Sequence, residues 1–128
     1  MPSRARWVIH SRATFNARHA LTSYRGEPEK PHDHLWEVAI RVGTDELGAE
    51  GYALDFHAVH TLVEETVAPL RDSDLNSHPE IGKPSPTAER VAEVLAGQLQ
   101  PGLAAIGGRL LMVSIWEGPE NRVDLRFD

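Results

Sequence analysis

Two stretches that alternate apolar and polar side chains, residues 6–19 and 32–42, constrain this chain more than anything else in it. Alternation with a period of two puts every second side chain on one face of a strand, so each stretch reads as a half-buried β-strand. In the first, Trp7, Ile9, Ala13, Phe15 and Ala17 share a face against His10, Arg12, Thr14, Asn16 and Arg18, and His19 ends the apolar row. In the second, His32, His34, Trp36, Val38, Ile40 and Val42 lie opposite Asp33, Glu37 and Arg41. Gly26, Pro28 and Pro31 break up the charged residues between them and mark a loop. Both core-facing rows therefore carry histidine where one strand stops and the next begins.

The histidines read H-x12-H-x-H. His32 and His34 project from one face of their strand, and His19 on an adjacent strand completes a three-nitrogen set. Zinc is the default ion for such a set, with a fourth position left to water or substrate. A chain with seven histidines also brings some together by coincidence. On spacing alone the two readings stand level.

The remaining elements follow from periodicity and punctuation. A turn over 43–48 leads to Gly51-Tyr52-Ala53-Leu54, read as a short paired stretch. Asp55 is placed to cap a helix carrying Phe56, Val59, Leu62, Val63, Val67 and Leu70 at helical spacing. Ser85-Pro86 is read as the start of a second helix with the stripe Ala88, Val91, Ala92, Leu95 and Leu99, and Pro101-Gly102 as its end. Two strands close the chain, one with Leu111, Val113, Ile115 and Glu117 on a face and one with Val123, Leu125 and Phe127, joined by a hairpin at 118–121. The expectation is a single α+β domain over 1–128: an antiparallel four-stranded sheet, order ββααββ, with two helices on one face. The other face holds Val8, Leu35, Ala39, Leu110, Met112 and Trp116, which suggests a sheet completed by other subunits.

Composition narrows the function classes. The 128 residues carry a formal net charge of −6 and no block of lysine or arginine, which argues against nucleic acid or an anionic membrane as partner. With no cysteine, disulfides, thiolate ligands and a cysteine base are excluded. The opening MPSRARWVIHSR lacks the apolar run of a signal peptide, and no stretch approaches the roughly 20 apolar residues of a membrane span, so a cytoplasmic location is expected.

The segments F15-N-A-R-H19, H32-D-H34, L54-D-F56, L75-N76, P86-T-A-E89 and W116-E117 occur in the order seen in one family. From about residue 7 to the C-terminus the chain resembles the 6-pyruvoyltetrahydropterin synthase and 6-carboxytetrahydropterin synthase family. The resemblance implies the tunnelling fold, in which subunits join their sheets into a barrel as a trimer or hexamer. It implies that His19, His32 and His34 bind Zn2+, with Asp33 standing where H-G-H is usual and facing away from the metal. It implies that Glu117 anchors a pterin, since two carboxylate oxygens accept from a ring N–H and the neighbouring amine. Read without the family, Glu117 is a charge at the end of an apolar row, which a structural ion pair would also explain.

The implied chemistry is that of a lyase acting on the side chain of dihydroneopterin triphosphate, giving a 6-pyruvoyl, 6-carboxy or 6-hydroxymethyl pterin for 7-deazapurine or folate synthesis. Two parts of the usual relay are missing. The family cysteine before the close histidine pair is absent, and L70-R-D-S-D-L-N76 puts Arg71 and Asp72 where an aspartate–histidine pair belongs. Glu29, three residues before His32, matches members with a glutamate in place of the cysteine, and such a group acts as a base if burial raises its pKa. Glu27 competes with Glu29, Asp72 or Asp74 could assist proton transfer, and His78 could return the lost imidazole. Lys83, Arg71 and Arg25 are the cations available to a triphosphate. The alternative is a non-catalytic zinc- and pterin- or purine-binding protein that has lost the relay.

Overall fold

The alternating stretches pair with each other. β1 (Trp7–His19) and β2 (His32–Thr44) run antiparallel along their whole length, from Trp7 opposite Thr44 to His19 opposite His32. The structure, a computed structural model, describes residues 4–128; residues 1–3, the beginning of the charged opening stretch, lie outside the described residues. Ile9, Ala13, Phe15, Ala17 and His19 of β1 and Trp36, Val38, Ile40 and Val42 of β2 are buried, as the period of two requires. Trp7 shares their parity but stands exposed at the strand's start.

The sheet has five strands in the order β3-β1-β2-β4-β5, one more than expected. β4 (Arg109–Glu117) pairs antiparallel with β2, and β5 (Asn121–Arg126) with β4. The addition is β3, Ser73–Asp74, which lies parallel to Ala17 and Arg18 on the outer edge of β1. Two residues leave no periodicity to read. The segment Gly51–Leu54, expected to pair, forms no strand; Gly51 turns with a φ of 88°, and only Leu54 enters the core.

α1 (Phe56–Val67) is capped by Asp55, whose side chain accepts from His57 N at 2.9 Å. Val59, Val63 and Val67 form its buried row, while Phe56 stands exposed at the first position. α2 (Ala88–Ala105) starts later than Ser85-Pro86 suggested. Thr87 is its N-cap, accepting from Arg90 N at 3.0 Å, because Ser85 and Pro86 are committed elsewhere: Ser85 Oγ accepts from Thr22 N, and the Pro86 carbonyl meets His19.

α2 also passes through Pro101-Gly102, the expected end. Leu99 and Leu103 are both fully buried and hold the helix on the core across the missing proline N–H. Gly102 is a point of close approach, since a Cβ there would stand 2.7 Å from Leu62 Cδ2 of α1. The helix stops at Gly107, φ 88°, with Gly107 N bonded to Ala104 O and Gly108 N to Leu103 O, the paired bonds of a Schellman motif.

Both helices cover the same face of the sheet, and one core lies between. A β-bulge where Arg41 meets Met112 and Val42 meets Leu110 skips Leu111. The skip exchanges the expected positions: Leu110 joins the core, and Leu111 leaves it to lie against Gly43. No helix among the described residues is long and apolar enough to cross a membrane.

Candidate metal centre

The register that pairs Ala17 with His34 and His19 with His32 gathers the three imidazoles at one end of the sheet. Ring centroids lie 4.6 Å apart for His19–His32, 5.4 Å for His19–His34 and 4.4 Å for His32–His34. One nitrogen from each falls within 4.8 Å of the others, a group that can hold a metal ion. Two nitrogens on one zinc stand about 3.3 Å apart, so small side-chain rotations reach the bound geometry. Trp36 forms the floor, wholly buried, stacked on Phe15 and donating its indole N–H to the Ala17 carbonyl at 3.2 Å. The His19 ring stands edge-on to it at 4.9 Å.

Two of the three imidazoles are aimed by backbone carbonyls. His19 Nδ1 lies 2.8 Å from Pro86 O, and His32 Nδ1 lies 3.0 Å from Lys30 O. A carbonyl only accepts, so both Nδ1 atoms carry the proton and both Nε2 atoms present the lone pair that a metal needs. His19 Nε2 is buried with no hydrogen-bond partner. An unsatisfied imidazole nitrogen among two others suits a divalent ion that prefers nitrogen donors. The donor set fits zinc.

Glu117 reaches this group from the end of β4, with Oε1 2.9 Å from His19 Nε2 but out of line for a hydrogen bond. Burial presses the His19 pKa down, but the Glu117 carboxylate and the Pro86 carbonyl together outweigh it, and the net shift is upward. His19 in turn holds Glu117 below the ordinary carboxylate value against the opposing effect of burial. Burial lowers His34, and the neighbouring imidazoles add to the effect, which keeps it neutral and ready to ligate.

A cleft of about 330 Å³ opens over the site, lined among others by His19, His32, Glu29, Thr87, Glu89 and Glu117. Glu29 thus shares the cleft with His19 and His32. Its Oε1 accepts from Leu21 N at 3.0 Å and stands 3.8 Å from His32 Nδ1, and its own N–H bonds Leu21 O. Glu27 lies instead at the exposed tip of the loop, where Tyr24 and Glu27 exchange two backbone hydrogen bonds around Arg25 and Gly26. Both central residues have positive φ, as a tight two-residue hairpin turn demands.

The other candidates lie outside the cleft. Asp72 is exposed, with its N–H bonded to Asn16 O at 2.7 Å along the edge of β1. Asp74 caps a short helical turn by accepting from Asn76 N. His78 Nδ1 accepts from Glu80 N and Ile81 N, a turn-stabilising role. Arg71 spans the Thr14 carbonyl and Glu64, Arg25 lies over the Tyr24 ring, and Lys83 is exposed.

Asn76 and Pro86 stand within the sequence motifs L75-N76 and P86-T-A-E89, where residue type alone assigns them no task. The Asn76 side chain accepts from Ala20 N and donates to Ala20 O, both at 2.8 Å, and so extends the strand pairing one residue past His19. The signal available was their place in L75-N76 and P86-T-A-E89; nothing in composition marks a backbone carbonyl as an orienting group.

Comparisons with known proteins agree in fold and family. The family model described as 6-pyruvoyl tetrahydropterin synthase matches residues 8–127. A 6-carboxy-5,6,7,8-tetrahydropterin synthase from Synechocystis sp. is 27% identical over 111 residues, which is 78% of this chain and 83% of that protein. Among solved structures, a Plasmodium falciparum 6-pyruvoyl tetrahydropterin synthase superposes with a TM-score of 0.76 at 15% identity, covering 97% of this chain and 99% of that one. A catalytic-residue mutant of the Plasmodium vivax 6-pyruvoyltetrahydropterin synthase, in which glutamate is replaced by alanine, gives 0.72 at 13% identity over 95% and 99%.

Proposed function

The chain belongs to the 6-pyruvoyl tetrahydropterin synthase family, and from that premise we propose that it is a zinc-dependent lyase acting on the side chain of dihydroneopterin triphosphate. The observation that carries the proposal is the trio His19, His32 and His34, two of them oriented through Nδ1, with His19 and His32 lining one cleft beside the Glu29 and Glu117 carboxylates. His19, His32 and His34 hold the zinc, which when bound supplies Lewis acidity towards the substrate's side-chain hydroxyls. Glu117 receives the pterin ring, its two oxygens matching two adjacent N–H donors. Glu29 is the base. Its place beside His32 in the cleft supports this role over Glu27, and a catalytic glutamate in the Plasmodium vivax relative gives it a precedent. Asp72 remains the candidate for assisting proton transfer from the loop before β3. We further propose that copies of the chain join sheet edges into a trimer or hexamer.

Incubating the zinc-loaded protein with dihydroneopterin triphosphate and separating the pterin products tests this directly. Zinc-dependent release of a 6-pyruvoyl, 6-carboxy or 6-hydroxymethyl pterin is expected, and the product identifies the branch. Glu29→Gln is expected to lower kcat by about 10²–10⁴-fold, the usual worth of a general base, with zinc content unchanged. The glutamine keeps an oxygen for Leu21 N, so the loop is preserved. The absence of cysteine and the exposed setting of Asp72 favour one rival reading, a zinc- and pterin-binding protein without turnover. Tight pterin binding with no product, indifferent to Glu29→Gln, would establish that rival.

A further inference from the structure

We infer that a second hollow, at the end of the sheet farthest from the histidines, binds an organic ammonium ion against the rings of Trp7, Tyr52 and Phe56. The hollow holds about 460 Å³ and lies where β1 begins, roughly 40 Å along that strand from His19. Its volume falls in the range of about 300–1,000 Å³ that small-molecule pockets occupy. Three separate parts of the chain build its wall: the start of β1, the loop after β2 and the first residue of α1.

The rings in that wall do not serve the core. Trp7 is 41% exposed, Tyr52 49% and Phe56 75%, and Leu47 beside them is 46% exposed. Large apolar groups gathered around one hollow and left facing water mark a place of contact. The loop that presents Tyr52 is closed by its own backbone. Gly48 N donates to Tyr52 O at 2.9 Å, and Gly51 N donates to Gly48 O at 3.0 Å.

Charge selects the occupant. No lysine or arginine lines the hollow, and His10 is its only basic side chain. The exposed acids Glu46, Glu50 and Asp55 lie next to its lining residues along the chain. The Glu50 carboxylate, with a smaller contribution from Asp55, pushes the Tyr52 hydroxyl above the ordinary phenol value. Asp55 is also the N-cap of α1, where its charge offsets the positive end of the helix dipole beside Phe56. Aromatic faces attract cations, and the Arg6 guanidinium already lies 5.9 Å from the centre of the Trp7 ring. A small metal ion would lose its hydration shell to rings that offer no oxygen in exchange. An alkylated ammonium is weakly hydrated and offers methyl groups to the rings and charge to the carboxylates. Anions and anionic lipid surfaces are repelled by the same acids.

Choline is the probe, titrated calorimetrically into the full chain at pH 8, where imidazole is uncharged. The control is 3,3-dimethylbutan-1-ol, which has the same shape and no charge. Choline is expected to bind about tenfold tighter than the alcohol. Phe56→Leu, at a position too exposed to threaten the fold, is expected to weaken choline about three- to tenfold. Glu50→Gln is expected to weaken choline and leave the alcohol unchanged, with zinc content unaltered in both variants. No binding of choline to the unmutated chain would overturn the assignment. Equal affinity for the two probes would reduce the hollow to an apolar groove, and choline binding indifferent to both variants would place the ligand elsewhere; either result overturns it. Affinity that falls as protein concentration rises would give the hollow to a second copy of the chain and overturn it as well.

Discussion

His19 is where the site's organisation is concentrated, and most of it comes from outside the histidine's own strand. Its ring is set by Pro86 O through Nδ1, by Trp36 beneath and by Glu117 at Nε2, while Asn76 fixes the next residue by two hydrogen bonds. Asn76→Ala strips both partners from the Ala20 peptide; an expected loss of about 1–3 kcal/mol, read by urea denaturation, comes with weaker zinc binding. Asn76→Asp retains an acceptor for Ala20 N and should fall between the two. The charges give a further test in which zinc reverses the sign. The pKa of His19 is raised by folding, so its contribution to the metal-free fold is complete below its ordinary value near 6.5 and fades as pH rises through the raised one. That of Glu117 is depressed, so its contribution is complete above about 4.5 and fades as pH falls through the lowered value. Denaturation of chelator-stripped protein should therefore show the pair helping most between about pH 4.5 and 6.5 and losing its effect on the alkaline side. Zinc competes with the His19 proton, so the stabilisation added by zinc should grow over that same alkaline range.

At the scale of elements, the segment before α2 is a support for the site. The turn holding Asn76 closes on itself through Gly82 N and His78 O, and Gly82 sits where a Cβ would come within 2.5 Å of Asn76 O and 2.8 Å of His78 O. Neither backbone carbonyl can yield as a side-chain tip would. Gly82→Ala is expected to cost about 1–3 kcal/mol, measured as a lowered Tm, and to weaken zinc binding through Asn76. The strands that carry the histidines were legible because one face is core and a period of two leaves little room for another register. The apolar stripes of both helices were legible for the same reason. What escaped was set by distant partners: α2 begins at Ala88 because Pro86 and Ser85 serve the β1 loop, and it continues past Pro101 because Leu99 and Leu103 are both buried. Leu110 and Leu111 exchange faces at a bulge that no local residue announces. Within the site, the trio and Glu117 were visible as residue types at spacings. The carbonyls that aim the rings carry no side-chain signature.

The whole molecule is asymmetric about its sheet, with both helices and the core on one face and an open second face. That second face leaves Val8 and Leu35 exposed and surrounds a hollow of about 480 Å³ with His10, Arg12, Arg41, Met112, Trp116 and Arg122. β5 is an edge strand with mostly exposed side chains, and β3 covers only two residues of the other edge. Edges and apolar positions left in this way are the ones that neighbouring copies would cover in the proposed assembly. Light scattering should give a mass three or six times that of one chain, and Leu35→Glu should lower it; a monomeric native protein would refute the proposed assembly. One further consequence lies in timing. The bond that sets the His19 ring reaches 67 positions along the chain, and the clamp on Ala20 reaches 56. The histidines leave the ribosome early, but the carbonyl that sets the tautomer and orientation of His19 arrives only when the segment before α2 has docked. Contacts so distant in sequence close late in folding. The β1–β2 pairing gathers the three imidazoles early, but the His19 ring is fixed only then, so the candidate site reaches its final geometry late in the chain's maturation.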